Sequence, residues 1–245
     1  ACQQERETLK NQLAGMALKM ERRQAHVQEC TGVLADMTAR QTDTANRIKM
    51  LRELEKDYEG FSRAVKRVMQ QADSGRLSGI HGPVSSCLTV EPCYVTAIEI
   101  ALGAAASNLI VDTANDGKAA INYLKGTDSG RATFLPLDTI RAKMLNEQGL
   151  ENCAGVCGAA DTLVQYAPQY QAVIQSLLAR TVIVEDMDAA LAVSKQYHNR
   201  FRIVTLDGQM IQAGGAMTGG SVSKGSGILA RTALSSHHRL GSSVH

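Results

Sequence analysis

The sequence predicts an α+β protein in which a long coiled-coil helix precedes two pseudo-repeated α/β lobes. Three observations support this fold class: an apolar heptad pattern in the first 58 residues, a repeated order of helices and strands, and a glycine-rich stretch near the C-terminus. The predicted parts are a coiled-coil arm (1–58), lobe I (59–148), lobe II (149–222), and a last part (223–245). That last part is expected to start a returning coil and to end in a non-native tail.

The N-terminal stretch predicts the arm. Alternating steps of three and four residues from Leu9 define two series of seam positions, of which eleven in fifteen are apolar or semi-apolar. A seam of this period favours a left-handed coiled coil, although a long amphipathic helix on a globular core is the alternative. We expect the helix to continue through Phe61, Val65 and Val68. The two series are Leu9, Met16, Arg23, Cys30, Met37, Thr44, Leu51 and Tyr58, and Leu13, Met20, Val27, Leu34, Gln41, Ile48 and Glu55.

A weak internal repeat predicts the two lobes. A helix follows each of Pro92 and Pro168 and presents one apolar face, with tyrosine, isoleucine and leucine at four-residue steps. Each helix leads to a β-branched run, 108–112 or 181–185. Each run precedes an alanine-rich helix, and a second strand then follows. These helices are expected at Asp116–Leu124 and Asp188–Tyr197, each with its first aspartate as N-cap, and the second strands at Arg131–Leu135 and Arg202–Leu206.

The stretch Gly208–Ser221 is rich in glycine and follows the second strand of lobe II. A phosphate-binding loop would need GxxxxGK[ST] or GxGxxG before a helix, and neither pattern occurs. Close contact between two chains is the better interpretation, and turns within one chain are the alternative. The predicted contact residues are Gly208, Gly214, Gly215, Gly219 and Gly220.

Composition narrows the classes of function. The net charge of +2 is too small to indicate nucleic-acid binding by itself, and no run of 18 apolar residues predicts a membrane span. Cys153 and Cys157 lack further ligands at zinc-like spacing, so we expect neither a metal nor another cofactor. Because no nucleophile–base pair stands out, we expect no catalytic residue. The chain is expected to be intracellular and cytoplasmic.

The residues from Arg47 to about Leu234 resemble the hinge region of a bacterial SMC (structural maintenance of chromosomes) protein. The segments that carry the resemblance are RIKMLRELEKDYEGFSRAVKRV (47–68), GIHGPV (79–84), AIEIALG (97–103), GRATFLPLDTI (130–140), RFRIVTLDG (200–208) and GGAMTGGS (214–221), followed by GILAR. The glycine signature Gx₆Gx₃GG fits Gly208, Gly215, Gly219 and Gly220.

The resemblance implies a non-enzymatic homodimerisation module of a chromosome condensation and segregation ATPase in the nucleoid. In that family the coiled coil folds back at the hinge, and ATP-binding heads at its far end contact kleisin-type subunits. Two hinges close a V or ring, and the glycines let their backbones approach closely. A coiled-coil scaffold and a nucleotide-binding α/β enzyme that uses the glycine segment are the alternatives.

Weak DNA contact through phosphates is also expected, at the point where the coil enters the hinge. Arg63, Lys66 and Arg67 are spaced to share one helical face there. Lys224 and Arg231 follow the glycine segment and are expected to return to the same region. A solvated basic surface with no ligand is the alternative, since aromatic residues for base stacking are few.

Overall fold

The computed structural model describes residues 2–56, 58, 60–145, 147, 149–221 and 227–229. The chain divides into two compact units, 1–53 and 54–245. The first unit is built from helix α1 (Cys2–Lys56), which confirms the predicted long helix and is about 80 Å long at 1.5 Å per residue. Its seam residues from Leu9 to Met37 are exposed, with Leu13 67% and Leu34 66% accessible. This apolar stripe is therefore available to another helix.

The second unit alternates short helices and strands. Its helices are α2 (Arg63–Asp73), α3 (Val95–Leu102), α4 (Ala114–Gly126), α5 (Gln171–Leu178) and α6 (Met187–Gln196). Its strands are β1 (Ile80–Pro83), β2 (Leu88–Val90), β3 (Leu109–Val111), β4 (Phe134–Pro136), β5 (Val156–Ala159), β6 (Val164–Tyr166), β7 (Thr181–Val184), β8 (Arg202–Thr205), β9 (Met210–Ile211) and β10 (Met217–Thr218).

The predicted continuation of the first helix through Phe61–Val68 is wrong. Helix α1 ends at Lys56, and α2 starts separately after Ser62, whose hydroxyl accepts the N–H of Val65. Between the two helices Tyr58 has a φ of 52° and Gly60 a φ of 96°. Residues in the left-handed conformation cannot belong to a right-handed helix, so the helix ends there although the apolar spacing continues.

The two lobes repeat one topology. In lobe I, β1 is antiparallel to β3, and β3 is parallel to β4. In lobe II, β5, β7 and β8 follow the same directions, and β9 and β10 extend the sheet to the order β10-β9-β8-β7-β5. The predicted order of helix, strand, helix and strand therefore occurs twice, as α3-β3-α4-β4 and α5-β7-α6-β8.

Two local features show that the repeat extends to single residues. The ladder slips by one residue in β1 and in β5, at His81 and Cys157. Each bulge is followed by a glycine with positive φ, 132° at Gly82 and 145° at Gly158. Such bulges bend a strand and re-aim the unpaired side chain, so the two lobes curve in the same way.

The helix caps differ from the expected ones. Helix α4 is capped by Thr113 and α6 by Asp186, so each begins before the expected Asp116 or Asp188. Thr113 and Asp116 form a capping box, in which each side chain accepts the backbone N–H of the other residue. The aspartates therefore lie in the first turn, where their charge favours the positive helix end. The expected strand 131–135 is also displaced, since β4 covers only Phe134–Pro136.

Three apolar cores hold the second unit together. One lies between α2 and α4 and the lobe I sheet, a second between α6 and the lobe II sheet, and a third is shared by both lobes. Side chains alternate between these cores along a strand: Leu109 belongs to the lobe I core and Ile110 to the shared core. The predicted boundary at 148/149 stays a prediction, because the compact units divide at 53/54.

Because both lobes contribute to the shared core, removing a buried side chain of either lobe from it should lower the stability of the unit. Ile98 and Ile174 are both completely buried in it, so truncating either to alanine should lower the free energy of unfolding by about 2–5 kcal/mol in denaturant titrations. Ile121→Ala is the matched control, because Ile121 is 51% exposed and its loss should change stability by about 0.5 kcal/mol or less. A loss under about 1 kcal/mol at both core positions would contradict a shared core.

Candidate functional site

The glycine-rich stretch forms a hairpin at one edge of the lobe II sheet. The turn from β8 to β9 contains Gly208, which has a φ of 91° and donates its N–H to the carbonyl of Thr205 at 3.0 Å. The turn from β9 to β10 contains Gly214 and Gly215, with φ of 94° and 92°, and Gly215 donates to the carbonyl of Gln212. Residues with a side chain rarely adopt such positive φ values, so these turns require glycine.

The remaining two glycines lie against the side chain of Gln209. Its amide oxygen accepts the N–H of Gly220 at 2.8 Å, and its amide nitrogen donates to the carbonyl of Gly220 at 3.1 Å. A Cβ at Gly219 would clash with the same amide, and Gly220 has a φ of 143°. Each predicted glycine therefore has a role within its own chain. Their role in contact between chains stays a prediction.

The hairpin makes β10 the last strand of its sheet. Met217 and Thr218 pair with β9 on one side, while Met217 is 57% exposed. In lobe I the strand that corresponds to β8 is β4, and it is itself an edge of its sheet. Within the described residues no hairpin extends the sheet beyond β4. The two lobes thus differ at the same edge: one has an added hairpin and the other does not.

Three of the five predicted basic residues lie on helix α2. Its buried side faces the lobe I core, and Arg63, Lys66 and Arg67 lie on the opposite side, with both arginines exposed. Among the described residues no carboxylate forms an ion pair with these three. Lys224 and Arg231 lie outside the described residues, so their expected return to this face stays a prediction.

The structure also shows one contact of α2 that sequence reasoning missed. Gly130 lies against the first turn of α2, where a Cβ on it would be 3.8 Å from the Cβ of Ala64. The next residue, Arg131, is exposed. Nothing in the local sequence could indicate the contact between Gly130 and Ala64, because 66 positions separate the two residues along the chain.

A polar contact joins the lobes beside the β2–β6 ribbon. The Nε2 atom of His81 is 2.7 Å from a carboxylate oxygen of Asp112, and its Nδ1 atom is 3.1 Å from the hydroxyl of Tyr170 in lobe II. Because a carboxylate only accepts, Nε2 carries the proton and Nδ1 of a neutral ring accepts from the tyrosine. Burial raises the pKa of Tyr170, which keeps the hydroxyl protonated. The contact borders a cleft of about 460 Å³.

Asp161 is the buried carboxyl group of this region, only 4% exposed, between β5 and β6. Burial raises its pKa, and hydrogen bonds from the backbone N–H groups of Asp161 and Thr162 offset part of that rise. Ser85 occupies the corresponding turn of lobe I, where its buried hydroxyl has no hydrogen-bond partner in the described residues. The two lobes thus differ in charge at this turn.

Other kinds of site have little support in the described part of the chain. No group of three or more His, Cys, Asp and Glu side chains there is placed to hold a metal ion. Nor does the described part contain a helix that is both long and apolar enough to cross a membrane.

Comparisons with known proteins agree with this architecture. The family described as "SMC proteins Flexible Hinge Domain" matches residues 77–194. The chain is similar to the SMC hinge domain of Geobacillus stearothermophilus, solved as an asymmetric dimer, with 38% identity and a TM-score of 0.75 over 82% of this chain and 81% of that one. It is also similar to the Pyrococcus furiosus SMC hinge domain, with 28% identity and a TM-score of 0.56 over 73% and 90% of the two chains.

Similarity extends to the chromosome partition protein Smc of Bacillus subtilis, at 43% identity over 178 residues. That alignment covers 71% of this chain but 15% of the relative. The corresponding protein of Lactiplantibacillus plantarum is 34% identical over 89% of this chain and 19% of its own length. The chain therefore spans less than a fifth of these relatives.

Two sheets that share one core, with an added hairpin in one lobe and a long helix before both, define a two-lobed hinge domain with a coiled-coil arm. The chain belongs to the SMC hinge family.

Asp161 predicts how stability varies with pH. A carboxyl group with a raised folded-state pKa contributes stability below its unfolded pKa, and that contribution is lost as pH rises through the folded value. Asp161→Asn removes this ionisation, so the variant should not lose the stability that the parent loses as pH rises. The free energy of unfolding of the variant minus that of the parent should therefore increase from about pH 3 to neutral pH. Urea titrations across this range measure it, with exposed Asp128→Asn as the control. A difference that does not vary with pH would contradict the raised pKa.

Proposed function

We propose that the chain is the homodimerisation hinge of a chromosome condensation and segregation ATPase. The observation that carries the proposal is the exposed hairpin edge at β10, together with the equivalent edge of lobe I, which no further strand covers in the described chain. The dimeric crystal structure of the Geobacillus stearothermophilus hinge supports it. The ATP-binding heads, kleisin-type subunits, nucleoid location and absence of catalysis in the hinge belong to the same proposal.

The geometry favours a two-fold dimer with two contacts. Unpaired strand edges expose backbone N–H and C=O groups, and a second chain can satisfy them. In a two-fold dimer each hairpin contacts lobe I of the partner, so two equivalent interfaces form at once. The glycine turns hold β10 at the sheet edge, and exposed Met217 supplies apolar surface there.

Helix α1 fits the role of an arm. Its apolar stripe is exposed over the described helix, from Leu9 to Met37. A coiled-coil partner would bury that stripe at the 3.5-residue period. A coiled-coil scaffold would also have such a stripe, but it would not explain the presence of the two-lobed domain.

The nucleotide-binding alternative fits the geometry poorly. A phosphate loop runs from a strand into a helix N-terminus, where backbone N–H groups converge on the anion. Here the glycines lie in a hairpin between strands, and the N–H groups of Gly208, Gly214, Gly215 and Gly220 already donate within the chain.

The dimer proposal predicts the effect of a charge on β10. Met217→Lys should weaken dimerisation about thirtyfold or more, because an unpaired ammonium group in an interface core costs about 2 kcal/mol or more. The parent should have twice the monomer mass of 26.3 kDa in light scattering, and the variant should approach the monomer mass on dilution.

Leu191→Lys is the matched control, since Leu191 is 48% exposed on α6 and outside the proposed interface. Deleting residues 1–57 should leave the dimer intact and so separate the globular part from the arm. The proposed interface would be contradicted if Met217→Lys kept the dimer mass of the parent on dilution, or if the deletion variant were a monomer.

We also propose weak DNA contact through the exposed face of α2. Its support is the set of three cations on one face, with no ion-pair partner among the described residues. Such a face neutralises phosphates and reads no bases, so binding is expected to be independent of sequence and sensitive to salt.

Charge reversal tests the DNA proposal. Replacing Arg63, Lys66 and Arg67 with glutamate should abolish mobility shifts at low salt and leave the dimer mass unchanged, since each removed phosphate contact reduces the salt slope by about one. The control reverses the exposed lysines 118, 143 and 195, which changes the net charge equally. DNA binding equal to the parent, or equal loss in the control, would show that the α2 face is not the site.

A further inference from the structure

The segment Gly227–Leu229, called the exit segment below, is docked on the core that the lobes share. Leu229 is 3% exposed and belongs to that core together with Ile98 and Ile174. Helical geometry begins at Ile228. The chain is therefore fixed to the hinge at a point after the glycine hairpin.

The carboxylate of Glu99 lies directly against the backbone of this segment. A Cβ on Gly227 would overlap the carboxyl carbon and both oxygens of Glu99. The φ of Gly227 lies outside the left-handed region, so the backbone conformation does not require glycine here, and a Cβ would instead displace the Glu99 carboxylate. A carboxylate only accepts hydrogen bonds, and the backbone N–H groups of the exit segment are donors at that position.

We propose that Glu99 is the positioning residue of the exit segment: its carboxylate binds the backbone at Gly227–Leu229 and thereby fixes this segment on the shared core. The proposal goes beyond dimerisation, since the exit segment and Glu99 lie outside the hairpin. Leu229 supplies the apolar part of the anchor and Glu99 the polar part.

The same helix also receives a contact from lobe II. The Nη1 atom of Arg202 on β8 donates to the carbonyl of Ala101 near the end of α3, at 2.7 Å. Helix α3 therefore contacts lobe II through Arg202 and the exit segment through Glu99. Because both contacts are on one short helix, the position of the exit segment depends on how the lobes pack.

The internal repeat offers a matched control. Gln175 on α5 corresponds to Glu99 on α3, and both side chains are half-buried. No described segment corresponds to the exit segment on lobe II. Replacing Gln175 therefore perturbs an equivalent helix position without touching the proposed anchor.

Amide hydrogen exchange of the dimeric full chain tests the proposal. In Glu99→Ala the amides of Ile228 and Leu229 should exchange about fivefold faster, as for the loss of a helix cap, and in Gln175→Ala they should not change. Gly227→Ala should accelerate exchange similarly, because its Cβ displaces the carboxylate. In the double variant of Glu99→Ala and Gly227→Ala, these amides should exchange little faster than in either single variant.

The assignment would be overturned if the exit-segment amides of Glu99→Ala exchanged at the parental rate, or if their exchange accelerated equally in Gln175→Ala. Dimer mass should stay parental in the three single variants and in the double variant, so a failure of the anchor is distinguishable from a failure of the dimer. Protection of β7 amides shows that each variant remains folded.

Discussion

The apolar core shared by the two lobes is the interaction on which the rest of the hinge depends. Each sheet has two buried faces, one against its own helices and one against the other lobe. Ile110 and Ile183, at the centres of β3 and β7, both belong to the shared core and are completely inaccessible. Neither lobe can bury this face alone, so the two must fold as a pair, and the β2–β6 ribbon then joins them through backbone hydrogen bonds.

The pairing of similar lobes makes their differences informative. The bulges, glycines and strand directions agree, whereas only lobe II carries a hairpin beyond the second parallel strand in the described chain. Asp161 likewise replaces a serine at the equivalent turn, and Glu99 a glutamine on the equivalent helix. Since the common features serve folding, function is best sought where the repeat is broken.

Apolar periodicity predicted the helices and the repeated strands because burial of one face imposes that period. The ends of elements were predicted less well. Thr113 and Asp186 cap helices through contacts of single side chains, and nothing in the apolar spacing after Lys56 marks the left-handed Tyr58. The contact between His81 and Tyr170 was not predicted, because it arises when the ribbon brings two distant segments together. For the candidate site, the sequence predicted that Arg63, Lys66 and Arg67 share one helical face and that glycines cluster after the strand β8. It did not predict the hairpin that these glycines form.

The glycines illustrate how folding and association make separate demands on one segment. Positive φ at four of them and the close approach of Gln209 at Gly219 are already explained within the chain. A glycine also has no side chain to bury, so it contributes little apolar area to an interface. What the turns provide is a short strand held at the edge of the described sheet, with Met217 exposed on it. The affinity of a dimer formed there must therefore come from the strand edge and its side chains, while the glycines determine where that edge lies.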